Sequence, residues 1–304
     1  MEELVKHFDM SDEYANNSFS QQTIGRMVIQ YAVNMATQVF ADCRHIRALD
    51  IACGPGNLTL EFLHALEENF PTATIDLSGL DYSDGNVKRL VKNSESRIRG
   101  ITASFYDFPP ETKEQHIIIS NEGLHWQPPY KTSNLYYLYL DAAERKKYEA
   151  FACKNLTTAL KNIYGALNPG GIAVLQFGHE GGLRNLWQVV YEIFMEEPFK
   201  KYSEKVNFPI YYLPVENIHN ALGEAGFPDD TITITSFAQD LTEDTPIRVT
   251  NLHRAVSERG YSQVLDPQVL EKFYARMEEK LNEVNMPEFR KNMWRRTLIQ
   301  LHKK

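Results

Sequence analysis

The stretch "HIRALDIACGPGN" (His45–Asn57) decides the fold of this chain. Its apolar part, Ile46–Cys53, predicts a buried strand, and Gly54–Asn57 predicts a tight turn. The next segment, "LTLEFLHALEENF", has leucines at helical spacing. A buried strand that passes through a glycine turn into a helix is typical of the first strand–helix unit of an α/β sheet.

The same alternation continues along the first half of the chain. The segments "ATIDLSGLD", "IRGITASFYD", "HIIISN" and "IAVLQFG" predict four more strands, with helical patterns between them. The alternation predicts a doubly wound, parallel sheet of the Rossmann-like α/β class. Two later segments, "DTITITSF" and "MWRRTLIQLHKK", predict strands six and seven.

We expect one domain, 1–304, in which helices cover one edge of the sheet as a lid. The expected sheet core comprises residues about 40–180, 226–242 and 290–304, and the expected helical cap comprises 1–40, 181–225 and 243–289.

Composition excludes several classes of function. The chain has 304 residues and a formal net charge of −8, and an acidic surface repels the phosphates of nucleic acids. No run reaches the about 18 apolar residues that a membrane span requires. Cys43, Cys53 and Cys153 show no metal-site spacing, which favours reduced thiols and a cytoplasmic protein.

Acidic residues and glycines at the strand ends indicate a nucleoside-type ligand. Gly54 and Gly56 allow close approach of a ligand to the backbone, Asp50 precedes them, and Asp81 ends the second strand. A carboxylate there can accept hydrogen bonds from both hydroxyls of a ribose. The dinucleotide pattern GxGxxG is absent because Thr59 occupies its third glycine position.

The end of the third strand adds two candidates for the same ligand. Ser104 can form a hydrogen bond with an adenine edge, and Phe105 can stack on its face. The turn as a whole is similar to the first motif of S-adenosylmethionine-dependent methyltransferases, although Ala52 replaces the usual first glycine.

Three further stretches narrow the resemblance. "YANNSFSQQ" (Tyr14–Gln22), "SNEGLHWQPP" (Ser120–Pro129) and "NFPIYYLPVENIHNALGEAGF" (Asn207–Phe227) occur in the order found in one family. The chain resembles the SABATH (salicylate/jasmonate) carboxyl methyltransferases, which are related to the juvenile hormone acid and trans-aconitate methyltransferases. The resemblance implies a seven-stranded methyltransferase sheet, S-adenosyl-L-methionine as the cofactor and a small carboxylic acid as the substrate.

The resemblance also implies a role for individual residues. Gln21 and Trp126 would hold the substrate carboxylate, His125 would line the catalytic pocket or be a neutral core histidine, and Glu122 and Tyr211 would contact the substrate. The cofactor would be bound by Tyr14, Ser18, Asp50, Cys53, Gly54, Gly56, Asn57, Asp81, Tyr82, Ser104, Phe105 and Ser120.

The chemistry that these residues predict needs no general base, because a carboxylate with a pKa of about 4 is already ionised at neutral pH. Gln21 and Trp126 supply neutral hydrogen-bond donors that would orient it. Glu122 departs from the family, which usually has an aromatic residue there. Glu122 either turns away onto a backbone N–H, or accepts a cation or hydroxyl of the substrate, or takes the proton of an amine acceptor.

The sequence therefore predicts a methyltransferase that converts a small, largely apolar acid into its methyl ester. The alternatives are an N-methyltransferase of a small amine or heterocycle and a cofactor-binding pseudo-enzyme. We expect no metal, although Asn134, Glu204 and Asn207 fall near positions that are linked to a metal in some family members. The expected partners are small molecules and, as in related enzymes, a second copy of the chain.

Overall fold

The computed structural model describes residues 19–128, 140–206, 210–239, 245–290 and 294–304. The strands in these ranges are β1 (His45–Ile51), β2 (Thr74–Asp81), β3 (Arg99–Thr102), β4 (Gln115–Asn121), β5 (Leu167–Gly178), β6 (Ile232–Gln239) and β7 (Trp294–His302). The helices are α1 (Phe19–Val39), α2 (Asn57–Asn69), α3 (Asp84–Asn93), α4 (Ala142–Ala166), α5 (Arg184–Phe194), α6 (Val215–Ala225), α7 (Pro246–Ser262), α8 (Pro267–Glu283) and α9 (Met286–Arg290).

The strands form one seven-stranded sheet in the order β3-β2-β1-β4-β5-β7-β6. The first five strands are parallel, and β7 runs antiparallel to both of its neighbours. The chain proceeds outward from β1 to β3 and then returns to the other side of β1 with β4. This order confirms the predicted doubly wound α/β sheet, and it puts the topological switch point between β1 and β4.

Helices bury both faces of the sheet. Helices α4 and α6 pack on one face, and α1 and α2 pack on the other. Successive residues of β4 show the result, since Ile118 belongs to the first core and Ile117 and Ile119 belong to the second, each with no exposed surface. A strand that is buried on both faces has a continuous apolar run rather than an alternating one, as "HIII" does.

The helical cap contains fewer elements than the sequence predicts. Helices α5, α7, α8 and α9 share a third apolar core, in which Phe194 and Phe273 have no exposed surface. Helix α1 was expected in the cap but packs on the sheet, because Val28, Ala32 and Ala36 form a completely buried stripe at helical spacing. Helix α6 also leaves the expected cap and packs on α4.

Strand boundaries differ from the sequence prediction at several places, most of all at the end of β3 and the start of β5. Strand β3 ends at Thr102, so Ser104 and Phe105 lie in the turn that follows it. Strand β5 begins at Leu167, which pairs with Gln115 of β4, and Gly170 N–H donates to Lys303 O at 2.7 Å. None of the described helices combines the length and the apolar character that crossing a membrane requires.

The turn after β1 depends on a glycine that cannot carry a side chain. Gly56 has φ +91°, and a Cβ there would lie 2.3 Å from Leu90 Cδ1. We expect Gly56→Ala to lower the free energy of unfolding by about 2 kcal/mol or more, through the left-handed backbone and the clash. Urea unfolding followed by circular dichroism measures the change.

Gly165 in α4 provides the matched control, because a Cβ there would meet nothing within 4 Å. Gly165→Ala should leave the stability unchanged or raise it by about 0.5 kcal/mol through helix propensity. Equal unfolding midpoints for the two variants would contradict the proposed role of the Gly56 turn.

Candidate active site

A cavity opens at the carboxyl ends of the parallel strands, where ligands bind in open α/β sheets. One part of its wall follows β1, β2 and β3 and includes Gly54, Asp81 and Ser104. Another part comes from the start of α1 and the segment after β4 and includes Gln21 and Trp126. The cavity therefore lies at the switch point between β1 and β4.

The turn after β1 brings bare backbone to the cavity wall. Ala52 and Gly54 have φ values of 57° and 56°, both in the left-handed region. A Cβ at Gly54 would meet nothing within 4 Å, so its backbone faces open space. A Cβ at Gly123 would lie 2.5 Å from Ala52 Cβ, which shows that the turns after β1 and β4 touch each other. Both turns therefore shape one wall.

Asp81 joins two strand ends by accepting backbone hydrogen bonds. Its Oδ2 accepts the N–H of Gly54 at 2.9 Å, and its Oδ1 accepts the N–H of Ser83 at 2.8 Å. Asn86 Nδ2 donates to the same Oδ1 at 3.3 Å. Burial raises the pKa of Asp81, and the hydrogen bonds oppose this effect. The backbone N–H of Tyr82 is a fourth donor to this carboxylate, which lines the cavity, so a ligand hydroxyl would share or replace one of these bonds.

Asp50 shows why Thr59 occupies the third glycine position of the turn pattern. Thr59 Oγ1 donates to Asp50 Oδ2 at 2.7 Å, and both residues are buried. The bond ties the end of β1 to the first turn of α2. Burial raises the pKa of Asp50 to about 7. Asp50, Cys53 and Asn57 all line the cavity, as the cofactor prediction expects of wall residues.

Ser104, Phe105 and Tyr82 also lie in the cavity wall. Ser104 Oγ accepts the N–H of Tyr106 at 3.1 Å, which fixes the turn after β3. Asn162 Nδ2 of α4 donates to Phe105 O at 3.1 Å and holds the same turn from below.

Gln21 and Trp126, the predicted carboxylate-binding pair, both line the cavity. Asn121 Nδ2 donates to Gln21 O at 3.0 Å and attaches the start of α1 to the end of β4. The backbone of Trp126 is held by two hydrogen bonds. Its backbone N–H donates to Gly123 O at 3.0 Å, and its backbone carbonyl accepts the Tyr106 hydroxyl at 3.2 Å. Tertiary structure thus brings together two side chains that are far apart in the sequence.

His125 lies in the core and is not among the described residues that line the cavity. It is 3% exposed, its Nδ1 accepts the N–H of Gly178, and its ring packs against Trp126 and Tyr212. Burial lowers its pKa to about 4. Of the two alternatives for this residue, the structure supports the neutral core histidine.

Three other predicted site residues are buried and are not among the described residues that line the cavity: Tyr211, Ser120 and Gly56. Tyr211 stacks on Tyr148, and its hydroxyl donates to a backbone carbonyl. Ser120 Oγ donates to Ile51 O at 2.9 Å and joins β4 to β1. Gly56 begins α2 behind Gly54. Burial, which the sequence does not give, separates these residues from the wall.

Tyr14 and Ser18, two of the predicted cofactor contacts, lie outside the described residues. Asn134 and Asn207, which were compared with metal-linked positions, lie outside them as well.

Sequence reasoning missed the partner of Glu122. Glu122 lines the cavity, and Arg296 Nη1 of β7 donates to its Oε1 in an ion pair. The side chain of Arg296 is 2% exposed and lies over the ring of Trp294. The alternation Trp294, Arg296, Leu298 contains the signal, because it puts a cation on a buried face of a strand, where a charge requires a counter-ion.

No protein-family model and no curated protein matches the chain. Among solved structures, a loganic acid methyltransferase with SAH has a TM-score of 0.72 at 17% identity and covers 95% of this chain and 94% of that chain. The cyclopropane synthase MmaA2 from Mycobacterium tuberculosis has a TM-score of 0.55 at 16% identity, covering 99% and 98%. The [4+2]-cyclase SpnF has a TM-score of 0.50 at 12% identity, covering 93% and 82%.

These likenesses establish the methyltransferase fold for this chain. At such identities they do not determine its reaction, since the three neighbours are a methyltransferase, a cyclopropane synthase and a cyclase. The chemistry must be argued from the residues in the cavity.

The cavity residues fit S-adenosylmethionine. That molecule carries ribose hydroxyls, an adenine amine and an ammonium group, all of which donate hydrogen bonds. The wall offers Asp81 and two buried oxygens without a partner, Asn121 Oδ1 and Gln127 Oε1. Gly54 leaves room beside them. Orphaned buried acceptors are expected to be satisfied by a ligand or by ordered water.

The burial of His125 predicts a dependence of stability on pH. The unfolded chain binds a proton at this residue below pH about 6.5, whereas the folded chain does so only below about 4. Unfolding therefore takes up a proton in this window, and stability falls as the pH falls from about 6.5 to about 4. His125→Asn keeps an acceptor for Gly178 N–H and removes the titration.

We expect the variant to show a shallower loss of stability in this window, by up to about 1.4 kcal/mol per pH unit. Urea unfolding at several pH values measures the slope. Parallel slopes for the variant and the parent would show that His125 is accessible to protons in the folded protein.

Proposed function

We propose that this protein is an S-adenosylmethionine-dependent methyltransferase that converts the carboxylate of a small, largely apolar acid into its methyl ester. The observation that carries the proposal is the composition of the cavity wall. Asp81 and Gly54 offer a nucleoside-binding end, and Gln21 and Trp126 offer hydrogen-bond donors in the same cavity. The fold of the sheet supports the same conclusion.

The cofactor end of the cavity consists of hydrogen-bond acceptors and of backbone that faces open space. Asp81 would accept the ribose hydroxyls, Gly54 would approach the amino-acid portion, and Ser104 and Phe105 would contact the adenine. Bound S-adenosylmethionine supplies an electrophilic methyl group. The task of these residues is to hold the cofactor in one orientation and to exclude water from the cavity.

The acceptor end, which would hold the substrate that receives the methyl group, needs to orient that substrate and does not need to move a proton. A carboxylic acid with a pKa of about 4 is already ionised at neutral pH, so it is a competent nucleophile. The amide of Gln21 and the indole N–H of Trp126 are neutral donors that would direct one carboxylate oxygen toward the methyl group. The position of His125 in the core agrees with a reaction that requires no general base.

The name of the loganic acid methyltransferase supports an acid as the acceptor, because that protein has the same fold along nearly the whole chain. A second candidate is an N-methyltransferase. It is favoured by Glu122 in the cavity wall, since a carboxylate there can accept a hydrogen bond from an amine.

Chemical stability of the product separates the two candidates. The protein is incubated with methyl-labelled S-adenosylmethionine and a panel of acids and amines. We expect product only with acids, and we expect mild base to release its label as methanol, because esters hydrolyse readily. Label that survives base would favour transfer to nitrogen, and absence of label in every product would contradict a methyltransferase.

Two substitutions test the two ends of the cavity. Asp81→Asn should weaken binding of S-adenosylhomocysteine by about tenfold or more, because it removes a charged acceptor. Trp126→Phe should lower kcat by about tenfold or more and leave that affinity within about twofold, because it removes an N–H and keeps an aromatic ring. Calorimetry and ester formation give the two measurements.

Trp187→Phe is the matched control for Trp126→Phe. Trp187 lies in α5 beside His253 and is not among the described cavity residues. Turnover that is equally low in both tryptophan variants, or unchanged in Trp126→Phe, would contradict the assignment of Trp126 to the acceptor site.

A further inference from the structure

Glu122 occupies a sharp backbone turn in the cavity wall. It follows β4, has φ 60°, and its N–H donates to Gln176 O of β5 at 2.8 Å. A left-handed conformation is unfavourable for a residue with a side chain, so contacts must hold it there. The backbone bond to β5 and the ion pair with Arg296 are two such contacts.

The two carboxylate oxygens of Glu122 have different surroundings. Oε1 accepts from Arg296 Nη1, and that guanidinium is buried. Within the described ranges, no donor reaches the second oxygen, and the side chain, which is 12% exposed, lines the cavity. Arg296 therefore fixes the carboxylate and leaves one oxygen as an acceptor.

The direction of the side chain places this acceptor beyond the cofactor end. In the sheet order β1-β4-β5-β7, Arg296 of β7 pairs with Gly178 of β5. Glu122 thus reaches from the end of β4 across β5 toward β7. Asp81 and Gly54 lie at the ends of β2 and β1, on the opposite side of β4. A group that meets the second oxygen of Glu122 belongs to the acceptor molecule.

An apolar acid without a second polar group would leave the second oxygen of Glu122 without a hydrogen-bond donor. The reacting carboxylate would bring more negative charge toward Glu122, and an alkyl or aryl group would cover an acceptor without forming a hydrogen bond. The wall is complementary to a group that donates.

We propose that Glu122 is a specificity-determining residue that accepts a hydrogen bond from a hydroxyl or ammonium group of the acceptor, and that Arg296 is the positioning residue that holds it. The acceptor is then a small acid that carries such a donor in addition to its carboxylate. This inference rests on the proposed function and names its substrate class.

The test compares the wild-type protein with the double variant Glu122→Met/Arg296→Met. Removing both partners avoids a buried charge without a counter-ion, which single removal would create. Benzoate and hexanoate are assayed beside hydroxybenzoates, hydroxyhexanoates and aminohexanoates. The hydroxylated acids test a hydroxyl donor, and the aminohexanoates, whose amines are protonated at neutral pH, test an ammonium donor.

We expect the wild-type protein to prefer a donor-bearing acid over its unsubstituted counterpart by about tenfold or more in kcat/KM, since hydrogen bonds to charged groups are strong. The double variant should lose this preference mainly through KM and keep its affinity for S-adenosylhomocysteine. Arg295→Met, which removes the same charge from the neighbouring position beside Gly181, should keep the preference.

Each opposite result has a distinct meaning. Wild-type preference for the unsubstituted acids, or an unchanged preference in an active double variant, overturns the role of Glu122. Loss of S-adenosylhomocysteine affinity in the double variant moves Glu122 to the cofactor end. Absence of methyl ester from every acid overturns the proposed function itself. The wild-type preference requires no substitution, so a double variant that folds poorly does not prevent the test.

Discussion

The carboxylate of Asp81 is the interaction on which the candidate site depends. By accepting the N–H groups of Gly54 and Ser83, it joins the turn after β1 to the turn after β2. The turn after β1 in turn touches the turn after β4 through Ala52 and Gly123. The hydrogen bonds of Asp81 and the packing of Ala52 against Gly123 together connect the ends of three strands, and the cavity wall takes its shape from their alignment.

The ion pair of Glu122 and Arg296 makes the equivalent connection on the other side of the switch point. It joins the end of β4 to β7, two positions away in the sheet. A buried ion pair is weak support for stability, because desolvation offsets much of the attraction. We attribute the ion pair instead to positioning, because Arg296 holds Glu122 so that its second carboxylate oxygen is left as a hydrogen-bond acceptor.

The neighbours in structure show what the fold leaves open. A similar fold occurs in a methyltransferase, a cyclopropane synthase and a cyclase. All of them can use a common architecture because the strand ends supply a ligand-binding edge, whereas the side chains on the turns decide the chemistry. In this chain Gln21, Trp126 and Glu122 line the cavity, and we propose that they hold the methyl-accepting substrate.

The sequence by itself determined the sheet and the cofactor end, because buried strands, glycine turns and acidic strand ends are local patterns. Only tertiary structure decided which polar residues reach the cavity. His125 follows β4, Tyr211 precedes α6, and both belong to motifs that predicted substrate contacts. Both side chains are nevertheless buried in the core. The ion pair of Glu122 joins residues 174 positions apart. Contacts over such separations depend on strand order and register, which no local pattern specifies.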